Sequence, residues 1–269
     1  MTKIYLQGGF GNVLFQLVHY LALKNHGHNP VFIDTLTKQN LITKLLGWKI
    51  HDQIYLEIFK DLGVVVNKQS ILKTALIMVF GKISQRFKIP VCSIYFFSES
   101  FKDSYLTTSK HLVGYFQSKR YLESNQKEIQ QIAKSLQKQY LSNKHGSPYI
   151  AVHFRYGDSV WAKEYEDYYT AVKQNIQQNK DVIVLTDSEN RAKEFFKDLK
   201  VRSLKVMSNT PILDFSYMLG AKELYCAPST FSWWASHSMK KDSEVYSPKF
   251  MLNKLGFFGE RIDINYFNS

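Results

Sequence analysis

An α/β fold with parallel sheets, divided into two parts, is what this sequence predicts. Three observations carry the prediction. The apolar run "KIYL" leads through the glycine turn "GGFG" into an apolar-periodic run, "NVLFQLVHYLALKNHG". From residue 149 to residue 248, short apolar runs alternate with stretches of helical period. Between these regions lies "SNKHGSP", residues 142–148, a cluster of turn-forming residues. Strands that alternate with helices build parallel sheets covered on both faces.

The first part reads as strand 3–7, helix 12–26 and strand 31–34, with Gly27 as the stop of the helix. Residues 35–110 mix aromatics, lysines and short apolar runs without a clean period, and "SIYFF" is the strand that stands out. "HLVGYFQSKRYLES" follows, then a polar helical stretch over 123–140. In the second part, "YIAVHFR" is a strand ending in charge, "EYEDYYTAVKQNIQQN" a helix and "DVIVLTD" a buried strand. "SENRAKEFFKDL" is a helix with Ser188 as its N-cap. "LKVM" is a strand, and "PILDFSYMLG" a helix with Pro211 near its start and Gly220 at its end. "ELYCAP", "STFSWWASHSMKK" and "EVYSP" continue the series as strand, helix and strand. The expected division is an N-terminal domain, 1–142, and a C-terminal domain, 143–269, with the final segment able to pack back on the N-terminal domain.

A chain of 269 residues with 45% hydrophobic and 15% aromatic residues buries a large core. Its longest uninterrupted apolar run, "ALIMVF" at 75–80, is far too short to span a bilayer. No secretory leader pattern precedes the first strand, and Cys92 and Cys226 lack metal or redox spacing, so a reducing cytoplasm is the expected compartment. The net charge of +12 suits an anionic ligand, a membrane surface or nucleic acid. The basic residues are dispersed and no nucleic-acid motif is visible, which sets nucleic acid aside. The basic, partly amphipathic stretch 67–88 is either a helix on an anionic membrane or a core-facing helix with a solvated basic side.

The glycine turn falls short of a dinucleotide loop. Gly9 and Gly11 supply G-x-G, but Leu14 stands where the third glycine belongs. The turn instead presents Asn12, with donors and an acceptor, at the mouth of the helix, as its cap, towards a ligand, or both.

Ligands of parallel sheets bind beyond the carboxyl ends of the strands, and three strand ends carry chemistry. In "HFRYGD", alternation puts His153 and Arg155 on one side, where a guanidinium and an imidazole suit phosphate oxygens; the plainer reading pairs Arg155 with Asp158 or Asp187. In "TDS", Asp187 accepts hydrogen bonds from a base or ribose, or belongs to a helix cap. In "APSTFSWW", Ser229 and Thr230 fall where a strand hands over to a helix. Free amides, hydroxyls and the positive helix end make an anion site there, and an ordinary serine cap is the plainer reading. Trp233 and Trp234 read as core or domain-interface packing. No D-x-D occurs, and neither Asp187 with Glu189 nor Asp242 with Glu244 has a magnesium-site context, so no metal is expected. Together these pieces point to a nucleotide diphosphate held by cationic and helix-end groups.

The same pieces resemble the motifs of bacterial α-1,2-fucosyltransferases of glycosyltransferase family 11. That family shows G-G-L-G-N-Q-x-F-Q, G-Y-F-Q-S, H-x-R-R-G-D, a strand ending S-D-D, and N-S-S-F-S-W-W-A. This chain has "GGFGNVLFQ", "GYFQS", "HFRYGD", "LTDS" and "PSTFSWWA" in that order, between residues 8 and 235. The resemblance implies a GT-B-like pair of Rossmann-type domains with parallel sheets, an acceptor-side N-terminal domain and a C-terminal domain that holds GDP-β-L-fucose. It implies that Arg155 binds the diphosphate with His153 close by, and that Ser229, Thr230 and the Phe231 backbone hold the β-phosphate. Asp187 would contact the guanosine part, and Gly11 and Asn12 would approach the fucose or the acceptor. The implied reaction moves fucose, with inversion, to a hydroxyl of a bacterial surface glycan, the 2-OH of a galactoside. It uses no cofactor besides the donor. Asp158 is the candidate general base, with Glu164 as the alternative.

Two positions depart from the family pattern. Tyr156 stands at the second arginine of H-x-R-R, where alternation turns it away from Arg155, and Ser188 stands at the second aspartate of S-D-D. Another GDP-sugar is therefore conceivable as donor. The expected partners are GDP-fucose and an oligosaccharide or lipid-linked acceptor, met in the cytoplasm or at the inner face of the bacterial membrane. A non-catalytic GDP-sugar- or polyanion-binding protein of the same fold is the competing reading.

Overall fold

A computed structural model of the chain describes residues 1–35, 55–87, 94–96, 110–117, 119–141, 147–156, 162–248 and 264–267. The chain divides into two compact units, Met1–Ser135 and Leu136–Ser269, and each is built on a parallel sheet.

The first unit runs β1 (Thr2–Tyr5), α1 (Phe10–Asn25), β2 (Pro30–Ile33), α2 (Leu56–Asp61), β3 (Val66–Asn67), α3 (Ile71–Phe87), β4 (Ile94–Phe96), β5 (His111–Val113) and α4 (Lys119–Ser124). Then α5 (Gln126–Tyr140) carries the chain into the second unit. The sheet order is β3-β2-β1-β5-β4, with β1 parallel to both β2 and β5. Thirteen of the sixteen residues of α1 are buried, which is why its apolar residues fall on every side. The helix ends as the sequence predicts. Gly27, at φ +79°, donates to the Lys24 carbonyl and His28 to the Leu23 carbonyl, the paired bonds of a left-handed glycine stop. Its start differs. Gly9, in extended backbone, holds the N-cap position, and Asn12 lies in the first turn, so Asn12 does not cap this helix.

The second unit runs β6 (Ile150–Phe154), α6 (Ala162–Asn175), β7 (Asp181–Thr186), α7 (Glu189–Phe196), β8 (Ser203–Met207), α8 (Pro211–Gly220), β9 (Glu223–Tyr225), α9 (Thr230–Ser238), β10 (Glu244–Pro248) and β11 (Ile264–Phe267). Its parallel sheet has the order β11-β10-β9-β6-β7-β8. This is the doubly wound order, and its sense reverses between β6 and β9. Ile150, Val152 and Phe154 of β6 share a core with Val182 and Val184 of β7 and with Tyr169, Ala192 and Phe196 of the covering helices. Trp233 and Trp234 are buried and meet edge to face, centroids 5.0 Å apart, as core packing.

Two expectations are adjusted. Ser188 holds the N-cap position of α7, but its hydroxyl makes no capping bond; its amide instead donates to Thr186 Oγ1 at 2.9 Å. The helix expected over 123–140 is interrupted at Asn125, whose side chain donates to the Tyr121 carbonyl at 2.6 Å while its own carbonyl starts α5. The described part of the final segment, Ile264–Phe267, pairs with β10 as β11 of the second sheet, where the open edge of β10 satisfies its backbone groups. Most of the expected linker at 142–148 lies outside the described residues. Among the described residues, no helix is long and apolar enough to cross a membrane.

Candidate functional site

In the second unit, β6 and β9 flank the point where the strand order reverses, and β7 lies beside β6. The carboxyl ends of these three strands lead into Arg155, Ser229 and Asp187. Parallel register therefore brings together side chains far apart in sequence. Arg155 Nη1 donates to Ser229 Oγ at 3.1 Å. Arg155 Nε stands 4.0 Å from Asp187 Oδ2, and Asp187 Oδ1 accepts from the Tyr156 amide at 3.0 Å. The pairing of Arg155 with Asp187 thus exists alongside the link to Ser229. The two side chains are 34% and 41% exposed, and an ion pair that long in water contributes little to stability.

Ser229 is the N-cap of α9, its Oγ accepting from the Phe231 amide at 3.2 Å. The turn before it is braced by Ser232 Oγ, which donates to the Ala227 carbonyl at 2.8 Å and the Ser229 carbonyl at 3.2 Å. The Phe231 ring meets the His153 ring edge to face at 5.8 Å and packs on Phe215 at 5.3 Å. Arg155, His153, Ser229, Thr230 and Phe231 therefore gather at one end of the sheet, where a helix start adds amides and a positive dipole. His153 is buried, and its Nδ1 has no hydrogen-bond partner among the described residues. Burial, and then the charge of Arg155, push its pKa down to about 3, so the imidazole is neutral at ordinary pH. A buried polar nitrogen left unsatisfied is costly.

Tyr156 does turn away from Arg155. Its ring lies in the core of the unit, stacked on Phe154 at 5.6 Å, and its hydroxyl donates to Glu166 Oε1 at 2.7 Å. The Arg191 guanidinium covers the ring at 3.3 Å and donates to the same Glu166 oxygen at 2.9 Å. Nothing local in the sequence marks Glu166 or Arg191. Asp158 and the Glu164 side chain lie outside the described residues. Asp214, in the first turn of α8, also escaped the sequence reading. Burial raises its pKa to about 6, and its neighbour Phe215 packs on Phe231.

The first unit repeats the pattern. Its strand order reverses between β1 and β5, so the turn and helix start of "GGFGNVLFQ", after β1, meet the described part of "GYFQS", residues 114–117, after β5. Gln117 Nε2 donates to Asn12 Oδ1 at 2.9 Å. Buried Gln16 donates to the Gly114 carbonyl at 3.0 Å and to the Gln7 carbonyl at 3.3 Å. Gly8, at φ +80°, sits so close that an added Cβ would lie 2.7 Å from Asn12 Nδ2 and 2.9 Å from Tyr115 Cε1. Phe116 adopts φ 55°, rare for a bulky residue, and is held there by burial and by stacking on His19 at 4.4 Å. Gly11 is buried in the first turn of α1. Gln16 and Gln117 lie inside the two segments, but the sequence did not single them out. Among the described residues, no group of His, Cys, Asp and Glu side chains is placed to hold a metal ion.

Two doubly wound, parallel units also occur in solved structures. The chain matches the E. coli heptosyltransferase WaaC with ADP at a TM-score of 0.50 and 9% identity, over 99% of this chain and 93% of that one. The fold is that of a GT-B glycosyltransferase. Looser likenesses include the R284K mutant of Arabidopsis thaliana FUT1 in complex with GDP, at a TM-score of 0.43 and 12% identity over 93% of this chain and 71% of that one. Another is the NodZ α-1,6-fucosyltransferase soaked with GDP-fucose, at 0.38 and 12% over 88% and 92%. No family model and no curated protein matches the sequence. The GT-B likeness concerns architecture alone.

Proposed function

We propose that this chain is an inverting, metal-independent glycosyltransferase that moves L-fucose from GDP-β-L-fucose to the 2-OH of a galactoside in a bacterial surface glycan. The observation that carries the reading is the convergence of Arg155, His153 and the Ser229 cap of α9 where the strand order reverses. A cation and a helix start in that position suit a diphosphate. The GT-B fold, shared with a heptosyltransferase that carries ADP, supports a nucleotide-diphosphate donor. The choice of fucose rests on the five motifs and their order.

In this reading the bond between fucose C1 and the β-phosphate oxygen breaks while the acceptor oxygen attacks the opposite face of C1. Negative charge grows on the departing GDP, and Arg155 with the α9 amides stabilises that growth in place of a metal. Ser229, Thr230 and the Phe231 amide hold the β-phosphate, and Asp187 faces the guanosine part. Gly11 and Asn12 approach the fucose or acceptor from the acceptor-side domain, 1–142, while 143–269 binds the donor. Asp158 takes the acceptor proton. The acceptor is an oligosaccharide or lipid-linked glycan on the cytoplasmic side of the inner membrane.

The test is incubation with GDP-fucose and a panel of galactosides in excess EDTA. The expected result is GDP release matched by a fucosylated product, with an α-1,2 linkage in its proton and carbon spectra. Binding of GDP-fucose without transfer to any acceptor would make the chain a GDP-sugar-binding protein. Loss of turnover in EDTA, restored by magnesium or manganese, would end the metal-independent mechanism.

A further inference from the structure

Helix α3 is apolar on two opposite faces. Its inner face buries Ile77 and Met78 against Tyr5, Ile33, Ile94 and Val113. Its outer face carries Leu72, Leu76, Val79, Phe80 and Ile83, which are between 41% and 73% exposed. Residues 72, 76, 79 and 83 follow the helical spacing of three and four, so they form one continuous stripe. A helix face turned to water is ordinarily polar. Of the twelve large apolar side chains left exposed among the described residues, six belong to α3. Scattered apolar residues on a surface need no explanation, but a contiguous patch marks an interaction site.

Charge identifies the partner. Residues 67–88 contain Lys68, Lys73, Lys82, Arg86 and Lys88 and no aspartate or glutamate. Lys68, just before α3, and Lys73, in its first turn, are exposed. An anionic lipid surface uses both features at once: apolar side chains enter the acyl boundary while lysines meet the headgroup phosphates. The net charge of +12 adds attraction at longer range. A helix of 17 residues with lysines along it is suited to lying in the interface rather than crossing it.

We propose that α3 docks the first unit on an anionic bilayer surface, with the stripe from Leu72 to Ile83 among the acyl chains and Lys68 and Lys73 at the level of the phosphates. The assignment rests on exposure and charge and does not depend on the catalytic reading. It gives an enzyme with a lipid-linked acceptor a reason to work at the membrane.

The experiment is co-sedimentation of the full chain with vesicles of phosphatidylcholine alone, or of phosphatidylcholine with phosphatidylglycerol. Binding to the anionic vesicles should be at least about tenfold tighter and should weaken as salt rises. Leu76→Asp with Val79→Asp should lower that binding about tenfold or more, with the circular dichroism spectrum and melting point retained because both side chains are exposed. Lys68→Gln with Lys73→Gln should remove much of the preference for anionic vesicles, which keeps the idea testable if the aspartate pair fails to fold. Equal or absent binding of the unaltered chain to both vesicles overturns the proposal. So does undiminished binding by the aspartate variant. If that variant instead converts a dimer into a monomer in light scattering while vesicle binding stands, the stripe belongs to a second copy of the chain.

Discussion

Arg155 Nη1 donates to Ser229 Oγ across 3.1 Å, and the same oxygen accepts from the Phe231 amide at 3.2 Å. The guanidinium and the start of α9 thus form one preset group, although their residues are 74 apart in sequence. Groups held in place before charge develops need not reorganise as it grows, which is what the proposed reaction asks of them as the diphosphate departs.

Arg155→Ala should lower the transfer rate about a hundred- to a thousandfold at saturating GDP-fucose. Arg155→Lys should also be poor, because an ammonium lacks the two-pronged geometry that reaches Ser229 and a phosphate together. A folded Arg155→Ala protein with near-normal rate would remove the centre of the mechanism.

Ser229→Ala combined with Thr230→Ala should weaken GDP binding about tenfold or more, since hydrogen bonds to a charged ligand are lost. Loss of the cap should cost about 1 kcal/mol of stability besides. Calorimetry separates the two effects: unchanged GDP affinity with lowered stability would leave these residues as caps only.

Tyr156→Ala should act on stability first. The ring is a core residue packed between Phe154 and Arg191. Its removal should cost about 3 kcal/mol in urea unfolding, and Tyr156→Phe much less, because its partner Glu166 is exposed to solvent. If Tyr156→Ala proves neutral in urea but abolishes GDP binding, the residue faces the ligand and not the core.

Gly8 and Gly27 offer a matched pair. Both have positive φ, but only an added Cβ at Gly8 meets neighbours, while Gly27 has nothing within 4 Å. Each alanine substitution should cost about 1–2 kcal/mol for the left-handed backbone. Gly8→Ala should in addition push on Asn12, disturb its bond with Gln117 and slow transfer; Gly27→Ala should leave the rate intact. Equal rates in both variants would separate the Asn12 loop from the chemistry.

Acid should destabilise the fold well before its carboxylates account for it. Burial pushes His19 and His153 down to about 3. As pH falls, an unfolded histidine takes up its proton near 6.5, while the folded one stays neutral. Their contribution is therefore fully present above about pH 6.5 and is lost progressively towards pH 3, at most about 1.4 kcal/mol per pH unit for each. Asp214, raised to about 6, works in the opposite direction and offsets part of this. Urea midpoints should drop from pH 7 to pH 4.5, and His19→Gln should flatten the slope. A flat profile in the unaltered chain would mean that these histidines are not buried neutral.

Much of the second unit was legible because its strands are buried on both faces and read as continuous apolar runs, as in "DVIVLTD". Its helix ends follow local chemistry: Pro211 is the first residue of α8 and Gly220 the last. The region 35–110 resisted for physical reasons. Its described strands are only two or three residues long, and α3 is apolar on both sides, which erases the period that a half-buried helix shows. Strand order was not legible at all. That β5, and not β4, lies beside β1 is what brings Gln117 to Asn12. Likewise His153, Arg155 and Ser229 could be named from their strand ends, but their meeting required the order of the second sheet. Asn12 was misplaced as a possible cap because the extended Gly9 takes that position.

All strands of the second sheet run the same way, so every turn that leads back into the start of a strand lies on the edge remote from Arg155 and Ser229. The turns at 176–180, 197–202 and 239–243 are of this kind, and Gln177, Lys200 and Lys241 within them are exposed. They are natural attachment points. A fluorophore, an affinity handle or an inserted peptide placed there leaves the opposite edge untouched, so ligand binding at Arg155 and Ser229 can be tested optically, or with the protein fixed to a surface, without labels crowding that edge.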